Sequence, residues 1–128
     1  MKDIQNREDV FLLVDTFYKV VREDALLGFV FNQIIQDWES HLEKITDFWE
    51  TNLFVTIHKY QGNPLDVHVQ VDEEVDNQII QQHFSHWLLL WVNTIDSLFI
   101  GEKAQTAKMS ARKMGTYLFI KIVENQAK

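Results

Sequence analysis

Four side chains in this chain have the types and spacing of a ligand-binding centre: Tyr18, His41, His68 and Trp87. His68 closes the stretch Gly62-Asn63-Pro64-Leu65-Asp66-Val67-His68, and Pro64 is the only proline present. His41 lies upstream of that proline turn, on the apolar side of an amphipathic pattern, and Tyr18 lies at the edge of the apolar face of the first one. A proline turn can bring His68 back across the preceding helix, so that the two histidines approach a flat ligand from opposite faces. One histidine to hold a metal, with a histidine and a tyrosine facing what the metal binds, is the inventory of a haem pocket. Tyr18, His41 and Trp87 together offer three polar hydrogens in apolar surroundings. Such donors stabilise a partly negative bound O2 most strongly where the dielectric is low.

Each of these residues has an ordinary reading when taken alone. A histidine near a turn is usually a surface residue, and one on a helix usually satisfies its own hydrogen bonds. A tyrosine or tryptophan on an apolar face is usually core, with its polar tip reaching water or a carbonyl. The combination and order carry the idea, and other chemistries are poorly represented. His83 and His86 are three apart on a helical pattern, but two ligands without a carboxylate at matching spacing make a weak metal site. A solvent-facing or packing role is expected for both. No Glu-x-x-His occurs, so a carboxylate-bridged di-iron bundle is not indicated. Gly-rich phosphate loops, Gly-x-Ser-x-Gly and His-Glu-x-x-His are also missing.

Composition narrows the field further. The 128 residues contain no cysteine, which excludes disulfides, zinc knuckles, iron–sulfur clusters, thiolate haem ligation and thiol catalysis. A formal net charge of −7, without a run of Lys and Arg, argues against a nucleic-acid partner. The first residues lack the apolar core of a signal peptide. The longest apolar run, Trp87 to Val92, is far too short to cross a bilayer. A cytoplasmic protein without a membrane partner is expected. The chain is 46% hydrophobic with nine Phe and four Trp, enough for a bulky core or for one that also surrounds a flat aromatic ligand.

The elements that must position these residues read as helices. Asn6 can cap a first helix whose apolar positions are Val10, Leu13, Val14, Phe17, Val20 and Val21, ending near Glu23-Asp24. Gly28 is expected to interrupt the next segment, with Phe29 to Phe31 as a short helical turn. Asp37 caps a third pattern, in which Trp38, His41, Leu42, Ile45, Phe48, Trp49, Asn52 and Leu53 form one stripe. It ends at Gln61-Gly62-Asn63-Pro64. Leu65 to Val71 alternates and reads as a short helix or irregular loop. A long helix follows from Asp72-Glu73-Glu74, burying Val75, Ile79, Ile80, Phe84, Trp87, Leu88, Trp91, Ile95 and Leu98. Gly101 breaks the chain before a last helix with Ala104, Ala107, Ala111, Met114, Leu118 and Ile122 inward. No repeat or linker appears, so residues 1–128 are expected to form one domain.

In order and spacing the chain resembles the truncated haemoglobins, and among them group III. The likeness runs through Phe17-Tyr18, Gly28-Phe29-Val30-Phe31-Asn32, Trp38-Glu39-Ser40-His41 and Ile45-Thr46-Asp47-Phe48-Trp49. It continues in Tyr60-Gln61-Gly62-Asn63-Pro64-Leu65-Asp66-Val67-His68. It is sharpest in His83-Phe84-Ser85-His86-Trp87-Leu88, which is similar to the family's His-Phe-x-x-Trp-Leu signature. Gly101 and Ala111-Arg112 suit its last helix. The chain departs from the family after His68, where Val69-Gln70-Val71 stands in place of a frequent Leu-Pro.

The resemblance implies an all-α truncated globin fold, a two-over-two helical sandwich around haem b and its iron. It implies His68 as the proximal iron ligand and Tyr18, His41 and Trp87 on the distal side. Phe31, Ile45 and Phe48 would touch the porphyrin, and Lys44 would pair with a propionate. The expected function is reversible binding of O2 or another diatomic gas, NO or CO. One alternative is an enzyme that uses the bound gas, in NO dioxygenation or peroxide chemistry, with electrons from an external reductase, since the chain itself supplies none. The other is a globin-like sensor or scaffold that has lost haem, against which the presence of His68, Tyr18 and His41 argues.

Overall fold

The computed structural model of the chain describes residues 1–54 and 81–126. Among the described residues the structure is all-helical, with α1 (Arg7–Glu23), α2 (Leu27–Ile34), α3 (Trp38–Leu53), α4 (Gln81–Leu98) and α5 (Glu102–Gln126). The expected turn at Pro64, the segment Leu65 to Val71 and the start of the fourth helix lie outside the described residues.

Helix α1 begins where the sequence places its cap. The Asn6 side chain accepts the Asp9 backbone N–H at 2.9 Å, and the Asp9 carboxylate accepts that of Gln5 at 2.9 Å. Glu8 and Asp9 place negative charge at the positive end of the helix. Val10, Leu13, Val14, Phe17 and Val21 form its buried stripe. Val20, expected on that stripe, is exposed. It lies on one flank of the stripe and Tyr18 on the other, where α2 and α3 supply Phe31, Trp38 and His41 as cover.

Asp24 turns the chain from α1 into α2. One carboxylate oxygen accepts the N–H groups of Leu26 and Leu27, each at 2.9 Å. Gly28 does not interrupt the segment as expected. It lies within α2, whose first turn presses on the end of α1, so that a Cβ on Gly28 would stand 2.7 Å from the Arg22 carbonyl oxygen. Glycine is needed there for close approach.

Asp37 caps α3 by accepting the Ser40 N–H at 3.1 Å. Arg7, at the start of α1, donates to Asp47 at 2.6 Å and to Glu50 at 2.9 Å, one turn apart on α3. At the C-terminal end of α3, Lys103 donates to the Leu53 carbonyl at 2.8 Å. Ala104, Ala107 and Ala111 are buried on α5, and their small side chains let α4 approach closely enough for Trp91 Nε1 to donate to the Ala107 carbonyl at 3.2 Å. Helix α1 packs on α3 and α4 on α5, and α1 also crosses α4, giving the two-over-two sandwich. No helix among the described residues is long and apolar enough to cross a membrane.

The start of α5 is completed from the other end of the chain. Gly101, with φ +139°, precedes the helix and has no side chain to cap it. Asp3 does so instead, accepting the N–H groups of Lys103 at 2.8 Å and Ala104 at 2.9 Å across 100 and 101 residues. Burial pushes the Asp3 carboxyl up, but the N–H bonds from Lys103, Ala104 and Ile4 outweigh it and hold the group below the usual carboxylate range. A carboxyl lowered in this way contributes stability above its unfolded value, about 3.9, and loses it as pH falls through the folded value. Asp3→Ala should therefore cost about 1 kcal/mol at pH 7, the scale of a lost cap. Asp3→Asn should cost less at pH 7 and should flatten the acid-side fall in stability below about pH 4. Urea unfolding at pH 7 and pH 3 measures both; equal acid sensitivity in Asp3→Asn and the native chain would contradict this role.

Candidate functional site

Tyr18 is the centre of an aromatic box built by three helices. Its ring meets Phe31 of α2 at 5.8 Å between centroids, Trp38 of α3 at 5.7 Å and His41 of α3 at 5.2 Å. Trp38 also meets His41 edge to face at 5.6 Å. The spacing of Trp38 and His41, three residues apart on a helix, puts both rings on one side of α3. Arg22 lies over the Trp38 ring at 4.5 Å, a cation–π contact that closes the outer side of the box.

Burial pushes the Tyr18 phenol's pKa far above the usual range, with no hydrogen-bonding group among the described residues offsetting it. The hydroxyl therefore stays protonated and is a donor at any ordinary pH. The His41 Nε2 atom is also buried. Two buried groups able to donate hydrogen bonds thus stand side by side within apolar rings. Neither a flat hydrophobic ligand nor a polar small one alone would need that arrangement, whereas a haem with a polar diatomic ligand suits both features.

The structure brings some of the expected site residues together. Tyr18 and His41 are in contact, and Phe31 joins them. His41, Lys44, Ile45 and Phe48 follow three- and four-residue spacing on α3 and share one side of it. Ile45 and Phe48 are half-buried, while Lys44 is exposed, as a residue reaching for a carboxylate at the rim would be. Trp87 of α4 is connected to this group through Phe17: its ring meets Phe17 at 6.1 Å, and Phe17 meets Tyr18 at 5.0 Å. His68 lies outside the described residues.

Trp38 was expected only as part of an apolar stripe, yet it touches both polar residues of the box. Its helical spacing from His41 was the available signal. Of the pair His83 and His86, His86 does not simply face solvent. It is bonded to Asp24 at the start of α2. Among the described residues, no cluster of three or more His, Asp or Glu suited to a metal occurs.

Known proteins resemble this chain at the level of both sequence and fold. No family model matches it. A curated group 3 truncated haemoglobin from Campylobacter jejuni is 27% identical over 116 residues, spanning 88% of this chain and 87% of that protein. The crystal structure of the group III truncated haemoglobin from Campylobacter jejuni superposes with a TM-score of 0.82 at 27% identity, covering 95% of each chain. The all-helical fold is that of a truncated haemoglobin, and the likeness spans nearly the whole chain.

Among the described residues no hydrogen-bond partner of the Tyr18 hydroxyl occurs, and replacing such a buried group with an apolar one of the same shape is neutral or favourable. In the chain without added cofactor, Tyr18→Phe should leave unfolding free energy unchanged or raise it by about 1 kcal/mol. Denaturant titration reads this directly. A loss of about 1 kcal/mol or more would mean that the hydroxyl contributes a structural bond.

Proposed function

We propose that this chain, similar throughout to the group III truncated haemoglobins, is a single globin domain over residues 1–128 that binds haem b and, reversibly, a diatomic gas such as O2, NO or CO. The observation that carries the reading is the contact of Tyr18 with His41 at 5.2 Å, in a box where burial acts on the phenol. The donor set fits the group. Tyr18 and His41 can face a polar diatomic molecule, and Phe31, Ile45 and Phe48 offer apolar surface to a flat macrocycle. His68 would hold the iron, Lys44 a propionate. When bound, the haem supplies an iron at which one gas molecule can be held.

The rest of the chemistry belongs to the chain's own side chains. Tyr18 donates from α1, and burial keeps its proton in place. His41 donates or accepts according to its tautomer, and its ring is held edge-on between Tyr18 and Trp38. Trp87 adds an indole N–H, which only donates. The rings around these groups exclude water, which strengthens each hydrogen bond. The proposed compartment is the cytoplasm, in keeping with the acidic, cysteine-free composition.

The deciding measurement is the visible spectrum of the reduced protein with and without CO. A stoichiometric haem spectrum that shifts with CO is expected; a chain that takes up no haem would overturn the reading. His68→Ala should lose haem or hold it loosely, and a wild-type spectrum and retention in that variant would remove His68 from its assigned role. A hydrogen bond from Tyr18 to a strongly polar ligand is worth about 1.5–3 kcal/mol, or about ten- to hundred-fold in rate. Tyr18→Phe should therefore speed O2 release much more than CO release, because CO carries less negative charge. Stopped-flow release rates for the two gases test this, and equal changes would point to access in place of hydrogen bonding.

A further inference from the structure

His86 and Asp24 join two parts of the chain that are 62 residues apart in sequence. The imidazole Nε2 is 2.5 Å from Asp24 Oδ2. The other carboxylate oxygen already accepts the N–H groups of Leu26 and Leu27, so Asp24 is fixed at the corner between α1 and α2. Burial pushes the Asp24 carboxyl up, but the bonds from Leu27, His86 and Leu26 outweigh it and hold it below its usual range, so a carboxylate meets the imidazole. The side chains are 33% and 15% exposed, partly withdrawn from solvent.

The next residue along α4 is Trp87. The contacts that hold its indole are apolar. It lies parallel to Trp91 at 6.4 Å, edge-on to Phe17 at 6.1 Å, and over Gly115, where a Cβ would stand 3.8 Å from its Cζ3. Such contacts seat α4 against α1 without a directional bond, and the directional bond one turn on, from Trp91 Nε1 to the Ala107 carbonyl, runs to α5. The His86 hydrogen bond is directional and ends on a fixed carboxylate. It therefore adds to the ring packing a directional tie from α4 to the corner between α1 and α2.

We propose that His86, anchored by Asp24, is a positioning residue for Trp87: the pair sets where α4 presents the indole N–H relative to Tyr18 of α1 and Phe31 of α2. The functional consequence rests on the reading of Tyr18, His41 and Trp87 as donors to a diatomic ligand, but the placement of the indole does not.

The test compares His86→Phe, which keeps a ring and loses the donor, with His86→Gln, which keeps an N–H donor at similar reach. Both leave Asp24 capping α2. In the chain as purified, the indole N–H resonance of Trp87 is identified by its loss in Trp87→Phe. It should move in His86→Phe and return to its wild-type position in His86→Gln, while those of Trp38, Trp49 and Trp91 stay in place. In the haem-loaded protein, His86→Phe should speed O2 release about tenfold with little change for CO, the scale of coupling between contacting residues. His86→Gln should restore the wild-type rate. An indole resonance that stays put in His86→Phe, or two variants that behave alike, would overturn the proposal. If the resonance moves as expected and O2 release does not, the positioning role stands and Trp87 is removed from the gas-facing donors. A wild-type chain that binds no haem would instead defeat the functional reading, and the indole resonance would still decide the positioning role.

Discussion

The crossing of α1 over α4 is held by aromatic rings, and the geometry of the candidate site follows from it. Phe17 meets Trp91 edge to face at 4.9 Å, and Trp91 stacks on Trp49 of α3 at 4.7 Å. Each such pair adds about 0.5–1.5 kcal/mol beyond the area it buries. The rotation of α1 that seats Phe17 on this stack also sets the direction of Tyr18. The next side chain points about 100° further round the helix, toward α2 and α3 and away from the stack. Trp87 precedes Trp91 by one turn, so the same side of α4 carries both the core stack and an indole donor. Core packing and donor placement are therefore not separable here: a change of ring size at Phe17 or Trp91 would move the polar groups as well.

Polar fastenings lie around this apolar centre. Arg7 ties the start of α1 to Asp47 and Glu50 of α3, Asp3 completes α5, and Asp24 holds both the first turn of α2 and His86 of α4. Isolated surface ion pairs contribute little. Asp3 and Asp24 differ in that each also accepts from backbone N–H groups at a helix start, and Arg7 reaches two carboxylates one turn apart, so they locate the helices relative to one another. Their effect on the site is indirect. Within the ring-lined box they surround, Tyr18 and His41 are the groups able to hydrogen-bond a ligand.

The helices were largely legible in the sequence because their signals are local. Asn6 and Asp37 cap where their side chains can reach the next turn, and the stripe from Val10 to Val21 repeats at the helical period. Tyr18 and His41 could be singled out by type and by their places on two apolar faces, and the structure brings them into contact. Errors arose where an outcome depends on a distant partner. Gly28 looked like a break because its role, close approach to the Arg22 carbonyl, is set by the return of the chain and not by its neighbours. Val20 and Tyr18 flank the same stripe, and only the placement of α2 and α3 decides which is covered. The cap from Asp3 and the bond from His86 to Asp24 span 100 and 62 residues, beyond the reach of any local pattern.

The three donors proposed for the site differ in what they can do, and in that proposal the difference bears on ligand choice. Burial holds the Tyr18 phenol protonated, so it donates under all ordinary conditions. An indole N–H likewise donates and cannot accept. Only His41 can exchange roles, through its tautomer. A site so composed would favour a molecule that develops negative charge when bound, and would leave a less polar molecule of the same size with donors it cannot satisfy. Because unsatisfied buried donors are costly, discrimination of this kind comes as much from the poor fit of the wrong ligand as from the good fit of the right one. The donors also come from separate helices, α1, α3 and α4. Selectivity in such a site depends on interhelical distances, and the fastenings that fix those distances act on selectivity without touching the ligand.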